Sequence, residues 1–143
     1  MERLRELIIS YFEGIITKIL WETTRVIRWD IVIHQDKEPD FVLKINDKFF
    51  IIEAKHIKES GGAQDKQIVE LIEFIRHSEE LENVHYVSFM DGVYFNNFSW
   101  AKEGDETKVN KQKKAIEEHL TNNPKNFFVN TSGLLSLFQD LKN

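Results

Sequence analysis

The sequence has no cysteine, two prolines and six glycines. Without cysteine there is no disulfide framework, thiolate zinc site or cysteine nucleophile, so any metal must be held by oxygen or imidazole, and a cytoplasmic protein is the economical expectation. Long apolar runs are missing as well. The longest, Phe49-Phe50-Ile51-Ile52, falls far short of the roughly 20 residues of a membrane helix, and no charged-then-apolar leader opens the chain, so membrane and secreted classes are not expected. Positive charge is in deficit, 19 Lys and Arg against 24 Asp and Glu for a net −5. The summed field does not favour a polyanion, and a nucleic-acid partner would need local basic surface. Also absent are a phosphate-cradling glycine loop, a nucleophile elbow and a His-x-x-x-His pair. The histidines His34, His56, His77, His85 and His119 stand at spacings that suggest no shared metal site.

What is present is the composition of one soluble α/β domain over residues 1–143, with 41% apolar residues spread along the chain. Apolar residues from Leu4 to Leu20 recur at helical spacing and predict a first helix. Its acids project opposite the stripe except Glu22, which falls on the stripe side if the helix continues and is kept as a weak site candidate. Trp29–His34, Phe41–Ile45 and Phe49–His56 read as three strands, the last two a hairpin about Asn46-Asp47. Ile68, Leu71, Ile72 and Ile75 return to helical spacing and predict a second helix to about Glu80. Val84–Met90 reads as a strand, Asp91-Gly92 as a turn and Val93–Phe95 as a short extended piece. Residues 101–112 read as a mobile loop running into a helix that ends at Asn122-Asn123-Pro124. Phe127–Val129 is a last strand, and Thr131 or Ser132 caps a terminal helix. The expected order is α-β-β-β-α-β-α-β-α, a mixed central sheet flanked by helices. Its core lies at about 1–90, with a C-terminal extension over 96–143.

Chemistry concentrates in Pro39-Asp40 and Glu53-Ala54-Lys55, one on each limb of the hairpin. With Asn46-Asp47 as a two-residue loop, Ile45 faces Lys48, and the same register sets Asp40 opposite Glu53. Facing residues share a sheet face about 5 Å apart at Cβ, and Lys55, two residues beyond Glu53, projects the same way. A three-residue loop would send the Asp40 carboxylate elsewhere unless a bulge restored it. Two carboxylates suit a hard divalent cation such as Mg²⁺, which takes oxygen ligands from one or two carboxylates, water and substrate phosphate. Such an ion polarises a phosphodiester oxygen and acidifies a bound water, and a lysine ammonium beside it orients that water or stabilises the phosphorane. A bare Glu-x-Lys triplet is weak, and Glu106-Thr107-Lys108 is another. Weight comes from context, because Glu53 and Lys55 interrupt a very apolar strand where charges are costly unless paired or bound to metal. A simple Glu53–Lys55 salt bridge is the competing reading.

Pro39, Asp40, Glu53 and Lys55 match the motif of the PD-(D/E)XK nuclease superfamily, and the resemblance covers about Met1 to Met90. Phe50-Ile51-Ile52-Glu53-Ala54-Lys55-His56 followed by Gly61-Gly62-Ala63-Gln64-Asp65-Lys66-Gln67 resembles type II restriction endonucleases more than repair exonucleases. The resemblance implies a restriction-endonuclease-like fold in which Asp40, Glu53 and the Ala54 carbonyl bind Mg²⁺, or Mn²⁺ in its place, and Lys55 assists the attacking water. It also draws attention to Gln64 and Gln67, placed to hydrogen-bond a phosphate or a water, or simply to cap the helix start. Gly61 and Gly62 would let a DNA backbone approach the helix, and a plain turn explains them equally.

The leading expectation is a Mg²⁺-dependent DNA endonuclease of restriction type, with double-stranded DNA as partner and a homodimer as the simplest way to cut both strands. A repair or junction-resolving nuclease of the same fold is the first alternative, and a catalytically silent DNA-binding or interaction domain the second. Within these residues only the tail from Asn96 onward is available for reading bases, so either recognition is compact or part of the protein is missing. Lys102, Lys108, Lys111, Lys113 and Lys114 in that tail either meet phosphates or belong to a solvated loop. Tyr94, Phe95, Phe98 and Trp100 form either an interface or a second layer on the sheet.

Overall fold

β-Branched and aromatic residues alternate through the middle of the chain, and in the computed structural model they build one five-stranded sheet. The structure describes residues 18–19 and 39–142, apart from 46, 79–81, 103 and 105. The strands are β1 (Lys18–Ile19), β2 (Phe41–Ile45), β3 (Lys48–His56), β4 (Val84–Asp91) and β5 (Phe127–Val129), adjacent in that order. β1, β2 and β3 pair antiparallel, whereas β3, β4 and β5 run parallel. The sheet is therefore mixed, as expected. A parallel pair requires a crossover, and helices α1 (Ala63–Phe74) and α3 (Lys108–Asn122) supply the two crossovers; α2 (Asn96–Trp100) precedes α3, and α4 (Thr131–Lys142) ends the chain.

The period of two in β3 sorts its residues between two layers. Phe50, Ile52 and Ala54 join Val87 and Phe89 against Leu134 and Phe138 of α4. Ile51 turns to the other face with Val42, Tyr86 and Phe74, and Ile57 meets Ile68, Leu71, Ile72, Met90 and Ile116 there. Each fully buried apolar side chain of this size contributes about 1.5–3 kcal/mol, so the strand's central residues are fixed from both sides. At the end of the parallel pair, Ile57 N donates to Asp91 O at 2.7 Å and Tyr94 N donates to Ile57 O at 3.2 Å. Gly92 makes that closure possible: its φ is +105°, and a Cβ there would strike the Ile57 carbonyl.

Several elements differ from their expected form. Lys18–Ile19, expected at the end of a first helix, is a strand on the edge of β2; the ladder offered by that edge outweighs local helical periodicity. The rest of the first helix and the expected strand Trp29–His34 lie outside the described residues. α1 ends at Phe74 and not near Glu80, because distant asparagines take up the carbonyls of its C-cap and the residues just beyond. Asn126 Nδ2 donates to Ile75 O at 3.1 Å and His77 O at 2.7 Å, and Asn123 Nδ2 donates to Arg76 O at 3.2 Å. Val93–Phe95 is a 3-10 turn leading into α2, not an extended piece. The expected mobile loop over 101–112 gives way to helix at Lys108. Thr107 Oγ1 accepts from Asn110 N at 3.1 Å as N-cap, and Val109, Ala115, Ile116 and Leu120 dock on the core. The part of the chain expected as an extension beyond residue 96 thus fills both layers, with Leu134 and Phe138 fully buried. Tyr94, Phe95 and Phe98 pack inside with Phe128, which answers the second-layer reading for them. Trp100 is 72% exposed.

Candidate active site

The hairpin register decides where the acids meet. Ile45 pairs with Lys48 and Phe41 with Ile52, the register of a two-residue connection. One step further places Asp40 opposite Glu53, just before β2 begins. The Asp40 carboxylate reaches across, its Oδ2 accepting from Ala54 N at 2.9 Å. Phe49 N and Ile57 N both donate toward the β4 side, to Asn83 O and Asp91 O. The odd residues of β3 therefore bond toward β4 and the even ones toward β2. In an extended strand N–H and C=O of one residue leave the same edge, so the Ala54 carbonyl also faces the β2 edge, where Asp40 stands.

Glu53 is 2% exposed, the most enclosed acid near the hairpin. Lys55 Nζ lies 3.5 Å from Glu53 Oε1 and 3.7 Å from Glu70 Oε2, with the lysine side chain 20% exposed. The ammonium is thus held between a buried carboxylate of its own strand and a half-buried one of α1. Ser88, the register partner of Glu53, donates to Leu71 O at 2.6 Å and pins the turn of α1 that carries Glu70. The sequence reading missed Glu70. Its only signal was a place three residues beyond Gln67 on the same helix face.

Gln64 is engaged elsewhere: its Oε1 accepts from Lys58 N at 3.1 Å and from Glu59 N at 3.4 Å. The amide clamps the loop between β3 and α1 and does not cap the helix start, where Gly62 is the N-cap and no side-chain cap hydrogen bond is made. Gln67 is partly buried on α1, one turn ahead of Leu71, and no hydrogen bond joins it to the hairpin acids among the described residues. Glu22 lies outside the described residues. The start of α1 is tied further by Asp65, whose Oδ1 accepts from Gly61 N at 2.9 Å and whose Oδ2 accepts from Lys108 Nζ at 2.9 Å. The Lys108 hydrogen bond, then the Gly61 amide, hold the Asp65 carboxyl below its ordinary range, and the same contact raises Lys108.

On the opposite face at the same sheet end, His56 Nδ1 lies 3.1 Å from Asp91 Oδ2, and Thr131 Oγ1 donates to Asp91 Oδ1 at 3.1 Å. Among the described residues no three His, Asp or Glu side chains gather into a metal cluster. Asp40, Glu53 and the Ala54 carbonyl instead offer a small all-oxygen set, the kind a hard cation completes with water and phosphate. The donors fit magnesium chemistry and not zinc, which favours imidazole and thiolate.

A mixed sheet between helices, with Asp40, Glu53 and Lys55 all at one end of its hairpin, is the architecture of a restriction-endonuclease-like domain. The chain belongs to the Tsp45I type II restriction enzyme family, whose model matches residues 19–128. That span takes in Asp40, Glu53, Lys55 and Glu70. No curated protein and no solved structure matches the chain. Membership brings with it nuclease activity and DNA binding of the restriction–modification kind. No described helix is long and apolar enough to cross a membrane.

Proposed function

We infer that the protein is a PD-(D/E)XK endonuclease that hydrolyses phosphodiester bonds of double-stranded DNA with Mg²⁺, or Mn²⁺ in its place. The observation that carries this reading is the reach of the Asp40 carboxylate to Ala54 N, which brings it beside the strand segment holding Glu53 and Lys55. Asp40, Glu53 and the Ala54 carbonyl would hold the metal, which when bound supplies Lewis-acid polarisation of the phosphate and a more acidic water.

The chain's own groups do the rest. Lys55 directs its ammonium at the attacking water and at the charge that develops as the water oxygen bonds to phosphorus and the opposite phosphorus–oxygen bond breaks. Glu53 and Glu70 fix the lysine from two sides, so its position is set before substrate arrives. Placement on a strand buried on both faces supplies the rigidity that such preorganisation needs. Two copies related by a two-fold axis would cut both strands of a duplex.

The test is incubation of the protein with long linear duplex DNA, with and without Mg²⁺. Discrete fragments that require the metal are expected. Metal-independent cutting, or no cutting of duplex while branched DNA is cleaved, would overturn the restriction-type reading.

A further inference from the structure

A strong charge asymmetry in the sequence lies outside the catalytic group. Residues 108–114, Lys-Val-Asn-Lys-Gln-Lys-Lys, hold four lysines and no acid in a chain of net charge −5. The structure makes them the first two turns of α3, with no acid in the first turn. Cations at that end gain nothing from the helix dipole, so helix stability does not explain them. The core does not either. Val109 and Ile116 face inward, while Lys111 is 69% exposed and Lys114 exposed.

Two further facts define a surface. Asn110, Lys111, Lys113 and Lys114 line an open cleft of about 970 Å³ against Ala101 and Gly104. Among the described residues two acids temper it, Glu106 and Glu117, both lining the cleft, with Glu106 Oε2 4.0 Å from Lys111 Nζ. The patch also begins at the catalytic end of the sheet. Lys108 bonds Asp65, Asp65 bonds Gly61 N, and Gly61 lies in the loop that leaves β3 just after Lys55 and His56. Among the described residues nothing lies within 4 Å of where a Cβ would stand on Gly61 or Gly62, which leaves their backbone open to a phosphate.

We propose that this lysine face of α3 is the DNA-tracking surface of the enzyme, binding the phosphate backbone that runs on from the site at Lys55. The inference rests on the DNA endonuclease reading and names the surface that would hold the substrate. A duplex presents a phosphate about every 3.4 Å of axis on each strand, so DNA with one phosphate at the site has others alongside the patch. Lys108 is committed to Asp65, which leaves Lys111, Lys113 and Lys114 as the phosphate contacts.

The experiment measures binding of a short fluorescent duplex by the full chain, with Ca²⁺ replacing Mg²⁺, between about 50 and 200 mM salt. The Lys111→Gln/Lys113→Gln/Lys114→Gln variant is compared with wild type and with Lys44→Gln/Lys48→Gln/Lys125→Gln. The latter removes equal charge at the far end of the sheet, where Lys48 and Lys125 lie beside His85 and Lys44 lies over the Phe49 ring. The patch variant is expected to lose at least about tenfold in affinity and to flatten the log–log salt slope by about 0.9 per lost phosphate contact, with the control variant keeping the wild-type slope. Equal slopes in patch variant and wild type, or equal losses in both variants, would overturn the surface while leaving the nuclease reading intact. A wild-type chain that binds no duplex at all would overturn both. Should the triple variant fail to fold, Lys111→Gln and Lys114→Gln singly give the same comparison.

Discussion

Two kinds of buried polar group stand in and beside the sheet, and they are treated differently. Ser88 and Asn126 are neutral, and their side chains bond to backbone: Ser88 to Leu71 O, and Asn126 to Tyr86 N, Ile75 O and His77 O. Glu53 and Asp91 are acids, 2% and 6% exposed, and they bond to half-exposed side chains, Lys55 and His56, at the open end of β3 and β4. A buried neutral group with every bond made costs little and fastens one element to another. A buried charge is expensive even when paired, and an apolar pair could have filled the same space. Among the described residues the fold accepts that expense where the strand ends face solvent, which is where a substrate can arrive.

The sharpest way to break this contrast is to exchange charge for neutrality without losing a bond. Asp40→Asn keeps an oxygen that can accept from Ala54 N, so the hairpin should stay closed and the melting temperature should hardly move. Cleavage should fall by at least about a hundredfold, the scale of removing one electrostatic element of a preorganised site. Fragment yield over time beside a thermal melt gives both readouts. Retained cleavage would remove Asp40 from the site, and a collapsed melt would make it structural.

Asn126→Ala is the reverse experiment. It strands Tyr86 N–H and two carbonyls at the end of α1, each net hydrogen bond being worth about 1 kcal/mol and its loss more when the partner stays buried. The expected cost is about 3 kcal/mol, roughly 10 °C in melting temperature for a chain of this size. Cleavage per folded molecule at a temperature below the transition should be unchanged. A variant that melts normally would show that water replaces the asparagine without loss.

The two classes were not equally legible in the sequence. Asp40 and Glu53 could be aligned on paper because a two-residue turn and strict alternation fix a hairpin register, and both depend only on neighbours in sequence. Lys55 followed from the same alternation. Asn126 acts across 51 positions to Ile75 and Asp91 across 35 to His56, and no periodicity announces such pairs. The early end of α1 and the strand at Lys18–Ile19 have the same origin, since tertiary partners there override local propensity. Gln64 was legible as a polar residue near the site but not as a clamp. Its partners, the amides of Lys58 and Glu59, become available only once the loop folds back.

His85 sharpens the comparison because it could belong to either class. It sits on β4, away from the open end, stacked on Phe50 at 4.9 Å, with Nδ1 2.6 Å from Lys125 O and Nε2 buried without a partner among the described residues. Nδ1 therefore carries the proton that Lys125 O accepts, and the imidazole is kept neutral. Burial pushes its pKa below 6.5, against the opposing pull of the Lys125 carbonyl. The unfolded chain then binds the proton more readily than the native one. The stability due to neutral His85 is complete above pH 6.5 and is lost as pH falls through the lower native value. His85→Phe preserves the stacking and removes the titration, so the variant should lose less melting temperature than wild type between about pH 7.5 and 5, by a few degrees at most. Parallel pH profiles would mean that the ring takes up its proton freely, which would move His85 from the fastening groups to the charged ones.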